Sequence, residues 1–95
     1  MLDEDIKKVL RSEKMLIFVK EDKVEVIERR LFRWRYRPAE KNNDPFKYFP
    51  QYMSTHSATF YYVSDVKGLL KSRLKDGYTI TNGSRKVLLS PKDLR

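Results

Sequence analysis

The stretch from Val24 to Arg37, VEVIERRLFRWRYR, constrains the fold most, because as a β-strand it would have two faces of different character. In an extended strand successive side chains point to opposite faces. Read as one strand, it carries Val24, Val26, Glu28, Arg30, Phe32, Trp34 and Tyr36 on one face and Glu25, Ile27, Arg29, Leu31, Arg33 and Arg35 on the other. An aromatic stripe then backs onto a basic stripe, a pattern suited to binding polyanions rather than to catalysis. Pro38 ends the strand, since proline has no N–H for the ladder and restricts the residue before it.

The neighbouring segments supply partners for this strand. Met15 to Lys20 is a compact apolar run and Glu21-Asp22-Lys23 a polar break, so with Val24 onward they predict a β-hairpin with a loop of about three residues. Upstream, Asp3 can cap a short helix in which Ile6, Val9 and Leu10 form one apolar face against Lys7, Lys8 and Arg11. From Pro38 to about Ser57 the chain has three prolines, two asparagines and no period, which predicts a long loop. Phe46, Tyr48, Phe49 and Tyr52 within it either pin the loop to the core or form an exposed stacking or wedging surface.

Ala58 to Val63 is a second strand signal. Ser64 then resembles an N-cap, and Val66, Leu69, Leu70 and Leu74 fall on one face of a helix of about ten residues that stops at Asp76-Gly77. Gly68 is its weak point, costing about 1 kcal/mol relative to Ala, and a strand and turn through Asp65 to Leu70 is the rival reading. Tyr78 to Thr81, Asn82-Gly83 and Arg85 to Leu89 form the clearest hairpin, with Asn-Gly suited to a type I′ turn. Ser90-Pro91 starts a final turn. The expected fold is α+β: an antiparallel sheet of about five strands with one or two short helices, in the order α-β-β-loop-β-α-β-β, as a single domain over residues 1–95.

Such a short chain buries only about 60–65% of its unfolded surface, which leaves a thin core and makes homodimerisation one way to supplement stability. That core calls for Val24, Val26, Phe32 and Trp34 inside. Charge narrows the partners. With 21 Lys and Arg against 13 Asp and Glu the chain carries +8, and most of the acids precede Glu28 or include it. Nucleic acid is the commonest partner for that balance, with an acidic protein or an anionic membrane surface as competitors. There is no cysteine for disulfides or thiolate chemistry, and no apolar run approaches the roughly 20 residues of a membrane span. The start, MLDEDIKKVL, does not read as a signal peptide, so a soluble cytoplasmic or nuclear protein is expected.

Catalysis finds no support. His56 is the single histidine, Ser54, Ser57 and Ser84 lack a nucleophile context, and three scattered glycines make no phosphate loop. No catalytic residue, metal or cofactor is therefore expected, and the chain is not read as an enzyme. The basic positions carry more. Arg29, Arg33 and Arg35 share a face of the Val24–Arg37 strand, Lys67, Lys71, Arg73 and Lys75 crowd the helix, and Arg85 and Lys86 flank the Asn-Gly turn. These are candidate phosphate contacts, with Trp34 or the Tyr48-Phe49 loop as an apolar contact. The bland counterpart is a solvated sheet face that guards an edge strand against aggregation.

From Tyr48 onward the chain resembles the competence transcription factors of the ComK family. The likeness lies in Tyr48-Phe49-Pro50, in Phe60-Tyr61-Tyr62 with Asp65-Val66, and in Tyr78 to Gly83 running on to Val87-Leu88-Leu89-Ser90. A strand, an Asp-Val turn and an Asn-Gly hairpin also resemble LytTR-type DNA-binding domains and the small pleckstrin-like domains of bacteria. The LytTR pattern has a His-Arg-Ser stretch after the helix, of which only Ser84 is present, so its DNA contacts are not carried over. The first two likenesses imply transcriptional regulation by loops and strands inserted into DNA grooves; the third implies a platform for peptides or anionic head groups. The expectation is a DNA-binding regulator, or alternatively a module that grips an acidic protein without binding nucleic acid.

Overall fold

The computed structural model describes residues 2–21, 23–38 and 61–94. Its elements in chain order are α1 (Leu2–Ser12), β1 (Met15–Lys20), β2 (Lys23–Arg30), β3 (Arg33–Pro38), β4 (Tyr61–Val63), α2 (Val66–Lys75), β5 (Thr79–Thr81) and β6 (Val87–Leu89), with a 3₁₀ turn at Pro91–Leu94. The strands make one antiparallel sheet in the order β4-β3-β2-β1-β5-β6. The expected α+β class holds, with six strands instead of about five.

The additional strand comes from Val24–Arg37, which is a hairpin. Arg30 lies opposite Arg33 and Arg29 opposite Trp34, so Leu31 and Phe32 alone make the turn. Directly opposed residues share a face. A two-residue turn therefore inverts the parity of the alternation, and the two stripes exchange sides at the turn. One face of the hairpin holds Glu25, Ile27 and Arg29 with Trp34 and Tyr36; the other holds Val24, Val26, Glu28 and Arg30 with Arg33 and Arg35. Arg29 does not share a face with Arg33 and Arg35, which corrects the reading of a single basic stripe.

Both helices pack on the first face. There Ile6 and Val9 of α1 and Leu70 and Leu74 of α2 join Leu16, Phe18, Ile27, Trp34, Ile80 and Leu89 in the main core. A smaller cluster of Ile17, Val24 and Val26, flanked by Met15 and Val19, lies on the other face. Val24, Val26 and Trp34 are buried as expected, though on opposite sides of the sheet. Phe32 is 98% exposed, which overturns its assignment to the core.

Local signals fix the ends of the elements. Helix α1 begins at Leu2, so Asp3 sits in its first turn with Glu4 and Asp5, where carboxylates complement the helix dipole, and does not cap it. The β1–β2 turn holds two residues and not about three, since Lys20 pairs with Lys23, and Glu21 takes a φ of 55°. The cap of α2 is Asp65, one residue past Ser64: its Oδ1 accepts from the Gly68 N–H at 3.0 Å. A Cβ on Gly68 would press into that carboxylate, 2.8 Å from its Cγ, so the glycine makes room for the cap. At the other end Gly77 (φ 94°) donates to the Leu74 carbonyl at 3.1 Å and Tyr78 to the Arg73 carbonyl at 3.0 Å. These paired bonds satisfy the last carbonyls of the helix as a Schellman motif does.

The β5–β6 hairpin is present, but its turn is not type I′. Gly83 has no positive φ; Arg85 does, at 63°. The Arg85 N–H donates to the Asn82 carbonyl at 3.0 Å and the Asn82 N–H to the Lys86 carbonyl at 3.2 Å, giving a three-residue loop with a left-handed last residue. Asn82 selects this turn through its side chain, whose Oδ1 accepts from the N–H groups of Ser84 at 2.9 Å and Lys86 at 3.1 Å. The expected loop over 38–57, its rings at Phe46, Tyr48, Phe49 and Tyr52, His56, and the start of the strand at Ala58 lie outside the described residues beyond Pro38.

Candidate nucleic-acid interface

The β2–β3 turn combines features that each disfavour folding. Leu31 and Phe32 have φ values of 54° and 68°, in the left-handed region that costs side-chain-bearing residues on the order of 1 kcal/mol or more each. Both are displayed, at 83% and 98% exposure, so neither side chain recovers that cost by burial. Arg30 and Arg33, directly opposite at the neck of the turn, are exposed like charges, and such a cross-strand pair is destabilising. Arg33 also stacks over the ring of Tyr62 on β4, 4.2 Å from its centroid, and Tyr62 is 64% exposed.

Two pairs further from the turn, on the same face, the charge is internally matched. Arg35 forms an ion pair with Glu28. On the helix side of the hairpin, Trp34 is buried and Arg29 lies 6.0 Å from its ring. The Arg29 Nη1 donates to the Leu10 carbonyl at 3.4 Å, satisfying the last turn of α1. Of the strand candidates, Arg33 is thus presented outward, Arg35 is bridged to an acid, and Arg29 and Trp34 serve the packing of α1.

The helix residues are drawn into structure as well. Lys71 Nζ lies 2.6 Å from Asp3 Oδ1, tying α2 to α1, and this bond holds the Asp3 carboxyl below its usual pKa. Arg73 forms an ion pair with Glu25 of β2, and the Tyr36 hydroxyl donates to the same carboxylate at 2.6 Å. Burial and this bond to Glu25 push the Tyr36 pKa up to about 12. Burial, the largest single influence, opposes the charge on Arg73, but the bond to Glu25, the charge of that carboxylate and the Tyr36 oxygen together outweigh it and the pKa is raised. Lys67 and Lys75 are exposed. Because α2 covers the face opposite Arg33 and Arg35, the helix lysines and strand arginines form two surfaces and not one.

The pairing register brings a different set together. Strand β2 runs antiparallel to β1 and so does β5, with Thr79 opposite Val19 and Thr81 opposite Ile17. The Leu31–Phe32 turn and the Asn82–Lys86 loop therefore emerge at the same end of the sheet. Three strand spacings separate the two hairpin axes, about 14 Å at roughly 4.8 Å per strand. That end carries Arg30, Leu31, Phe32 and Arg33 at one tip and the Arg85 and Lys86 positions in the loop of the other, with Arg85 also lining a groove shared with Val19, Lys20 and Glu21.

Arg30, Leu31, Phe32 and Tyr62 are absent from the set of contacts that sequence alone suggested. The signal that could have found them is length. Strands usually run 3–10 residues, so a strand reading from Val24 to Arg37 calls for a turn within it even without Gly, Asn or Pro.

Comparison with protein-family models, with curated proteins and with solved structures found no match. Among the described residues no helix is long and apolar enough to cross a membrane, and no three His, Cys, Asp or Glu side chains gather as a metal site would need.

Proposed function

We propose that the chain is a small nucleic-acid-binding module with duplex DNA as its target and a regulatory role. The observation that carries this is the convergence of two hairpin tips at one end of the sheet, bearing Arg30, Arg33, Arg85 and Lys86 on a chain of net charge +8. Phosphates take up such charges, and each one neutralised releases condensed counterions, which supplies affinity without sequence preference. Arginine at the first tip suits bidentate phosphate or guanine contacts. The likeness of residues 48–90 to competence transcription factors points the same way. Lys71 and Arg73, tied to Asp3 and Glu25, are assigned to holding α2 in place.

The test compares two charge reversals of equal size. Arg30→Glu with Arg33→Glu is expected to weaken binding of a labelled duplex strongly, while Lys7→Glu with Lys8→Glu on the outer surface of α1 has a small effect. Equal losses in both would mean that net charge and not the hairpin end drives binding. Absence of duplex binding by the wild type would leave the acidic-protein reading.

A further inference from the structure

We infer that the β2–β3 tip is an apolar wedge: Leu31 and Phe32 enter a groove of the duplex and part a base step, while Arg30 and Arg33 hold the phosphates on either side. The inference rests on the nucleic-acid reading above and adds a mode of binding to it.

The tip is a poor choice for stability at each of four successive positions. A two-residue hairpin turn with positive φ at both positions is filled without strain by Asn-Gly, and a leucine and a phenylalanine are among the residues least suited to it. Neither ring nor isobutyl group is buried against the described residues, with 98% and 83% exposure. Arg30 and Arg33 face one another across the neck with no acid between them in the register. Within the described residues the arrangement gains the stacking of Arg33 on Tyr62 but no burial for Leu31 or Phe32, and a binding contact gives those two side chains the use that burial does not.

The chemistry required of that contact is specific. It must present anionic groups to two arginines a few ångströms apart and, between them, an apolar slot for a leucine and a planar ring. A duplex does so wherever phosphates border stacked bases, and wedging side chains of this kind unstack a step and kink the helix. An anionic membrane also offers charge over an apolar interior, but the second tip argues against it. Asn82, Gly83, Ser84, Arg85 and Lys86 at the same end of the sheet include no apolar residue, so they suit phosphates and not acyl chains. At about 14 Å from the first tip, that loop falls beyond the roughly 6 Å minor groove that a wedge would enter, on the bordering backbone.

The experiment uses the full chain and an end-labelled duplex of about 20 base pairs carrying a fluorescence-transfer pair, so that affinity and bend are read together. Three proteins are compared: wild type, Leu31→Asn with Phe32→Gly, and Phe32→Ser. Wild type is expected to bind and to bend the duplex by an angle within about 20–90°. Leu31→Asn with Phe32→Gly is expected to keep or raise Tm, because it installs the turn residues the backbone favours, while binding falls about tenfold or more and the bend is lost. Phe32→Ser is expected to leave Tm unchanged and to reduce the bend. Variants that bind and bend like wild type would overturn the wedge and leave the nucleic-acid reading standing. A large fall in Tm for either variant would assign the tip a structural role and overturn the wedge as well. Wild-type binding to vesicles of phosphatidylserine and phosphatidylcholine with none to duplex would overturn both readings.

Discussion

At Gly68 two local effects oppose each other. Replacing a helical glycine by alanine ordinarily stabilises by about 1 kcal/mol. Here the added Cβ displaces the Asp65 carboxylate that caps the helix, and losing a cap costs about 0.5–2 kcal/mol. Gly68→Ala is therefore expected to leave stability almost unchanged. In an Asp65→Ala background, with no cap left to displace, the same substitution is expected to stabilise by about 1 kcal/mol. Denaturant unfolding of the four proteins of this cycle checks the coupling, and equal effects in both backgrounds would contradict it. Tyr36 gives a second residue-scale expectation. Its folded pKa of about 12 lies above the ordinary 10.0, owing to burial and the bond to Glu25. A group with a raised folded pKa contributes stability that is complete below its unfolded pKa and lost as pH rises through the folded one. Stability is accordingly expected to fall between pH 10.0 and about 12, with a smaller fall in Tyr36→Phe. Unfolding midpoints across that range decide it; identical profiles for the two proteins would remove Tyr36 as the cause.

Among the elements, α2 is latched to the sheet by a carboxylate of β2. Glu25 accepts from both Arg73 of α2 and Tyr36 of β3, and so joins the helix to the two strands beneath it. Glu25→Ala leaves a half-buried guanidinium and a hydroxyl without that partner, and a loss of about 1–3 kcal/mol is expected. A denaturant titration measures this, and a loss no larger than a typical exposed substitution would show that the latch is dispensable. This carboxylate was not visible in the sequence, where Glu25 reads as one member of an alternating stripe. Apolar positions on the helices, by contrast, were legible: Ile6, Val9, Leu70 and Leu74 are recognisable as core from spacing alone, because burial dominates the placement of such side chains. The failure at Leu31–Phe32 has a definite cause. Turn residues are recognised by chemistry that relieves a left-handed φ, and this turn lacks it, so the stretch reads as one continuous strand. Inverted parity then moved Arg29 and Phe32 to the wrong sides. Asn82-Gly83 misled in the other direction, since the asparagine acts through its side chain and the left-handed residue is Arg85.

For the whole molecule, strand order and register decide where the charge lies. Asp3, Glu25 and Glu28 engage Lys71, Arg73 and Arg35 away from the hairpin tips, and the topology gathers Arg30, Arg33, Arg85 and Lys86 at one end. The sequence conveyed the excess of positive charge but not its location, because location follows from strand order and register. If these four side chains each neutralise one phosphate, the logarithm of the binding constant falls with the logarithm of salt at a slope of about −3.6. The most direct measurement is the affinity of the wild-type chain for a labelled duplex at several salt concentrations. Raising salt from about 50 to about 200 mM is expected to weaken binding roughly 150-fold, with the slope reduced by about two in Arg30→Glu with Arg33→Glu. No binding at about 50 mM salt, or an affinity that does not change across this range, would contradict the proposed function.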